Sequence, residues 1–208
     1  MGWDYEDFLR ELLEAELRSR EQRTAKRRLK EARFPEIKTL EQFEWEALED
    51  ISRQKIMELA TCEYITKASD VILVGPVGTG KTHAAIGFGV DAARRRFRVA
   101  FFRAAQLVRM LTEARDERTL TLLHRRLRRA DLLILDELGF VPFERTGGEL
   151  LFDLISERYE VRLGHHAHVL TTKGSSFRTR KRNQKEGGGD GSMNAVGARL
   201  PSRPEWIR

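Results

Sequence analysis

The run Gly75-Pro76-Val77-Gly78-Thr79-Gly80-Lys81-Thr82 constrains this chain more than any other stretch. It has the spacing G-x-x-x-x-G-K-[ST], follows the branched apolar run Val71-Ile72-Leu73-Val74, and precedes a helical pattern from about His83 to Arg95. A buried strand must therefore turn sharply into the N-terminus of a helix. The glycines let the backbone curl so that successive N–H groups and the helix N-terminus converge on one point, and such a point holds phosphate oxygens. Gly75, Pro76, Val77, Gly78, Thr79, Gly80, Lys81, Thr82 and His83 are the predicted nucleotide-binding residues, with Lys81 reaching the β and γ phosphates and Thr82 holding Mg²⁺. ATP and Mg²⁺ are the expected ligands.

A second apolar run, Leu132 to Leu135, delivers Asp136 and Glu137 at a strand's C-terminal end. Asp136 suits the Mg²⁺ shell, and Glu137 suits polarisation of an attacking water. An acidic pair after a strand says little alone; together with the glycine-rich loop it makes Glu137 and Lys81 the catalytic candidates. Between the two motifs lie the strand RVAFF and the helical patterns AAQLVRMLTEA and LHRRLRRA, and beyond them come the helix GELLFDLISERYE and the short β-like run HVLTT. Alternating apolar strands and helices predict an α/β fold of the P-loop NTPase kind, a parallel sheet covered by helices.

Residues 1–34 are expected to form a helical N-terminal segment, 35–182 the ATPase domain, and the Gly-rich, aperiodic stretch 183–208 a disordered tail. In the first segment Tyr5, Phe8, Leu9, Leu12, Leu13 and Leu17 recur at spacings of three and four, giving an apolar stripe that needs a partner surface. Beyond it the helix is polar all round and reads as an exposed arm or a contact with something acidic, ended by Pro35. No capping residue precedes Trp3, so this helical unit is expected to be partial. Another helical pattern runs from Leu40 to Tyr64.

Length and charge narrow the partners. At 208 residues the chain can bury one respectable core. Apolar runs stay short of the ~18 to 20 residues of a membrane span and the N-terminus lacks a signal sequence, so a cytoplasmic protein is expected. A lone cysteine, Cys62, excludes an intrachain disulfide and a multi-cysteine zinc cage. The net charge of +6 is clustered at 23–33, 94–98, 124–129 and 173–185. The last cluster holds six Lys or Arg and no acid before Glu186, which suits phosphate-backbone binding as well as a solvated tail; Lys173, Arg178, Arg180, Lys181 and Arg182 are the candidate DNA contacts.

GPVGTGKTHAAI, LLILDELGFVPF, GELLFDLISERYE and HHAHVLTTKGSSFRTRKR together resemble the IstB family of insertion-sequence transposition helper ATPases, relatives of DnaC helicase loaders and initiator-type AAA+ proteins. The resemblance runs from roughly Trp3 to Arg182. It implies an AAA+ fold with a small helical N-terminal domain, ATP-dependent oligomeric assembly on duplex DNA, and partnership with a DDE-type transposase. Lys81, Thr82, Asp136 and Glu137 keep the roles already assigned on physical grounds.

One departure from that family lies after Glu160. Family members continue from the equivalent of ERYE through a strand ending in a threonine and asparagine sensor, and then a helix ending in aspartate, arginine and leucine. Here Val161-Arg162-Leu163 follow at once, so an internal stretch is expected to be absent. Losing a central strand exposes the ladder groups of its neighbours. HVLTT is itself β-like and is expected to be able to fill the vacant slot beside Leu132–Leu135, bringing Thr171, Thr172 or Lys173 to the sensor position. His166 and His168 share one face of that run, but zinc asks for three or four ligands and none is near in sequence, so surface or DNA-side histidines are the expectation. Glu144 and Arg145 lie in what reads first as a plain solvated loop, the other reading being a loop that faces a neighbouring subunit. The rival readings are a DnaC-like helicase loader and a degenerate copy that binds nucleotide or DNA without hydrolysis.

Overall fold

The computed structural model describes residues 4–43, 53–139, 144–162 and 167–172. Helix α1, Tyr5–Ala32, is a single rod that ends where Arg33 turns left-handed at φ 57°, two residues before Pro35. Its two halves behave opposite to their composition. The apolar stripe is exposed, with Tyr5 at 87% and Leu13 at 62%, whereas the charged half is the one that docks. There Ala32 is buried, Leu29 lies against the core, and Glu21 pairs with Arg96. The stems of long charged side chains leave room for small and apolar residues between them, and Ala32 and Leu29 use it.

The pattern from Leu40 to Tyr64 is broken rather than continuous. A 3-10 turn at Leu40–Gln42 is fixed by a capping box between Thr39 and Gln42, residues 44–52 lie outside the described residues, and two short helices follow, α2 at Arg53–Ala60 and α3 at Glu63–Thr66. Cys62, at φ 64°, makes the bend between them. Burial pushes its thiol up to about 11, so it stays protonated and inert at neutral pH.

Strand β1, Asp70–Val74, leads through the glycine-rich loop into helix α4, Lys81–Arg94. Strand β2, Val99–Arg103, runs into α5, Ala104–Asp116; α6, Leu120–Arg128, precedes strand β3, Leu132–Asp136. Helix α7, Arg145–Arg162, continues through Val161 and Arg162, so the departure after Glu160 falls inside a helix. Strand β4, Ala167–Thr171, closes the described chain.

The strands form two parallel pairs. Strand β2 pairs with β3 from Val99↔Leu132 to Arg103↔Asp136, and β1 pairs with β4 from Asp70↔Ala167 to Val74↔Thr171. Among the described residues β4 forms no ladder with β3. HVLTT therefore does not bridge the slot beside Leu132–Leu135, and the expectation of a replacement central strand is corrected: β1 takes up the hydrogen-bonding edge of β4, and the Thr172 N–H extends that ladder to the Val74 carbonyl at 2.6 Å. Thr171 and Thr172 follow β1, and Lys173 lies outside the described residues.

Two apolar clusters hold these pieces. In one, Ile86, Phe88, Val90 and Ala93 of α4 pack with Val99, Phe101, Ile134 and Leu170. In the other, Leu107, Leu111, Leu127, Leu151 and Leu154 join α5, α6 and α7 against Phe102 and Leu135. Arg158 supports the second by donating to the carbonyls of Leu127 and Ala130, which ties α7 to the end of α6. Among the described residues no helix is long and apolar enough to cross a membrane.

Candidate nucleotide-binding site

The glycine-rich loop has the backbone that its sequence demands. Gly75, Gly78 and Gly80 take φ of 151°, 83° and 83°, conformations that side chains oppose, and Gly80 is the N-cap of α4. The first N–H groups of a 14-residue helix thus open onto the loop. The Lys81 ammonium folds back over it, donating to the carbonyls of Gly75 at 2.8 Å and Pro76 at 2.5 Å. Partial burial pulls this amine below the ordinary lysine value, offset in part by the Asp136 carboxylate.

The two sequence motifs meet at one point. Thr82 Oγ1 lies 3.0 Å from both carboxylate oxygens of Asp136, across 54 residues of chain. A hydroxyl and a carboxylate converging in this way form the hard oxygen donor set that Mg²⁺ prefers, so these residues fit the ion. Glu137 sits just past β3 at φ 62°, a left-handed conformation that costs a non-glycine residue about 1 kcal/mol.

Facing Glu137 is a residue that the sequence reading passed over. Arg103 closes β2, stands opposite Asp136 in the ladder, and brings its Nε to 4.0 Å from Glu137 Oε2. Aligning RVAFFR in parallel with LLILD would have found it, since the register puts the two C-terminal ends side by side. His83 behaves differently from the other loop residues. Its Nε2 is 2.9 Å from the Thr39 carbonyl and its ring meets Phe43 edge-on at 5.0 Å, so the side chain ties segment 39–43 to the start of α4.

The remaining candidates are less connected. Arg145 pairs with Glu149 one turn along α7, and His168 is exposed on β4. Among the described residues no group of three or more His, Cys, Asp or Glu side chains is placed to hold a metal ion. His166 and the candidate DNA contacts Lys173, Arg178, Arg180, Lys181 and Arg182 lie outside the described residues.

Comparison with known proteins places the chain in a family. The family model described as IstB-like ATP binding protein matches residues 1–163. A protein named as an ATP-binding protein of insertion sequence IS21 from Pseudomonas aeruginosa is 35% identical, over 86% of this chain and 78% of that one. A counterpart from insertion sequence IS5376 of Geobacillus stearothermophilus is 33% identical, over 83% and 67%. Among solved structures, AMPPCP-bound DnaA from Aquifex aeolicus superposes with a TM-score of 0.52 at 23% identity, over 73% of this chain and 48% of that one, a likeness of fold. With the glycine-rich loop, the acidic pair and this fold in place, the chain belongs to the IstB-like family of insertion-sequence ATP-binding proteins, built on the AAA+ P-loop fold.

Proposed function

We propose that this chain is a DNA transposition helper: it binds Mg·ATP, assembles as an oligomer on duplex DNA, and directs or stimulates a transposase. The observation that carries the nucleotide part is the Thr82–Asp136 contact, which joins the phosphate loop to the acidic strand. In this reading the N–H groups of residues 77–82 hold the β and γ phosphates, and Lys81 moves its ammonium from the Gly75 and Pro76 carbonyls onto phosphate oxygens. Thr82 and Asp136 hold Mg²⁺, which when bound spreads the negative charge of the phosphates. Glu137 orients a water for attack, with Arg103 setting where that carboxylate rests. The insertion-sequence relatives support the transposition part, and the basic segment with Lys173, Arg178, Arg180, Lys181 and Arg182 supports the DNA part.

A second reading is a binder without turnover. It is favoured by one observation: β4 pairs with β1 and not with β3, so its threonines do not stand beside the acidic strand. Steady-state phosphate release from ATP, with and without duplex DNA and with Lys81→Ala as the blank, separates the two. DNA-stimulated release above the blank supports the helper ATPase. ATP binding with no release supports the binder. A DnaC-like loader would instead respond to single-stranded DNA and a replicative helicase.

A further inference from the structure

We infer that Thr172 is a positioning residue of the nucleotide site, acting through Thr79 to hold the phosphate loop in its binding shape. This rests on the reading of that loop as an ATP site. Thr172 and Thr79 are 93 residues apart, yet their hydroxyl oxygens approach to 2.6 Å, and the two residues are 1% and 4% exposed. They are the buried polar side chains of the described core.

Three contacts compete for two hydroxyl protons: Thr79 to the Pro76 carbonyl at 2.9 Å, Thr79 to Thr172 at 2.6 Å, and Thr172 to the Val74 carbonyl at 3.2 Å. The Val74 carbonyl already accepts the Thr172 N–H at 2.6 Å, so its hydroxyl contact is the longest and the least needed. These lengths suit a relay in which Thr172 donates to Thr79 and Thr79 donates to the Pro76 carbonyl. That Pro76 oxygen is one of the two on which Lys81 rests. When the ammonium leaves for a phosphate, the relay from Thr172 is what remains to hold the first turn of the loop.

Space enforces the same contact. A Cβ built on Gly75 would lie 1.8 Å from Thr172 Oγ1 and 2.3 Å from the Thr172 carbonyl oxygen, so the loop can take this course only because its first residue is glycine. The end of β4 thus braces the loop from one side, and α4 receives it on the other. Nothing in the glycine-rich motif itself announces this: position 79 is a free position in the spacing, and Thr172 is distant in sequence.

The test is the affinity of the full chain for a fluorescent N-methylanthraniloyl-ATP, measured for the wild type, Thr172→Val, Thr172→Ser, Thr79→Val and the Thr79→Val/Thr172→Val double variant. Thr172→Val should weaken binding about tenfold, and Thr172→Ser, which keeps the hydroxyl, should stay within about twofold of the wild type. The double variant should be no more than about twofold weaker than Thr79→Val alone, because Thr79→Val already removes the bond to Thr172 along with the one to Pro76. Wild-type affinity in Thr172→Val, equal losses in Thr172→Ser and Thr172→Val, or losses that multiply in the double variant would each overturn the assignment. Thr79→Val reaches the bond from the loop side and carries the test if Thr172→Val fails to fold. Failure of the wild type to bind would overturn the ATP reading as well; binding by the wild type with an unchanged Thr172→Val overturns the positioning role alone.

Discussion

The two strand pairs carry the two halves of the site, and they are built to different standards. The β2–β3 pair, which delivers Arg103, Asp136 and Glu137, is covered on both faces. Val99, Phe101 and Ile134 pack against α4, while Phe102 and Leu135 pack against the cluster of α5, α6 and α7. Among the described residues the β1–β4 pair, which delivers the phosphate loop, is covered on one face. Val71, Leu73 and Leu170 meet the α4 cluster, but Ile72, Val74 and Val169 are 47%, 49% and 52% exposed. Parallel strands are normally buried on both sides. The loop is therefore held mainly from its helix and from Thr172, and the acidic pair is held by a packed sheet. In the proposed function this becomes a division of labour, in which the half-covered pair would supply binding and the packed pair would position the attacking water.

Substitutions at the two ends should pull these functions apart. Glu137→Gln removes the carboxylate proposed to orient the attacking water and leaves the loop intact, so phosphate release should fall by about 100-fold or more while ATP affinity stays within about threefold. Steady-state turnover beside equilibrium nucleotide binding checks this, and equal loss of both would erase the division. Lys81→Ala acts from the other pair. Removing the ammonium that would meet the β and γ phosphates should weaken ATP binding by roughly 100-fold, about 2.7 kcal/mol, with little change in melting temperature, because its contacts in the free protein are carbonyls near the surface. Calorimetric titration of both variants would show whether binding follows the loop alone.

How much of this could be read beforehand differs between the halves for physical reasons. The phosphate loop and the acidic pair are local: glycines at positive φ, a strand before and a helix after are all fixed within a few residues, so spacing alone located Lys81, Thr82, Asp136 and Glu137. Strand existence was legible for the same reason, since Val71–Val74 and Leu132–Leu135 are apolar runs. Pairing was not. Which neighbour HVLTT chooses depends on where chain far away leaves an open edge, and a β-like run looks the same beside β1 as beside β3. Arg103 and Thr172 escaped for that reason, since each acts across a ladder or a loop contact rather than within a motif. Helix α1 differs between its halves: the stripe that needs a partner surface stays exposed, and the residues that dock on the core are Ala32, Leu29 and Glu21 in the charged half.

Core substitutions test the structural side of the comparison with smaller effects. Ile134→Ala in β3 removes a side chain that is 8% exposed and packed in the α4 cluster, so it should cost about 2–4 kcal/mol in a denaturant melt. Asp136 would be disturbed with it, because the carboxylate is two residues along the same strand. The matched substitution on the other pair should do almost nothing. Val169 stands opposite Ile72 in the parallel register, and both are about half exposed, so Val169→Thr, which keeps the branched shape suited to a strand, should change stability by about 0.5 kcal/mol or less. A cost of 2 kcal/mol or more in the same melt would mean that the Ile72–Val169 face is covered in the folded protein. The contrast between the two pairs would then disappear, and the phosphate loop would rest on a sheet as well packed as the one beneath the acidic pair.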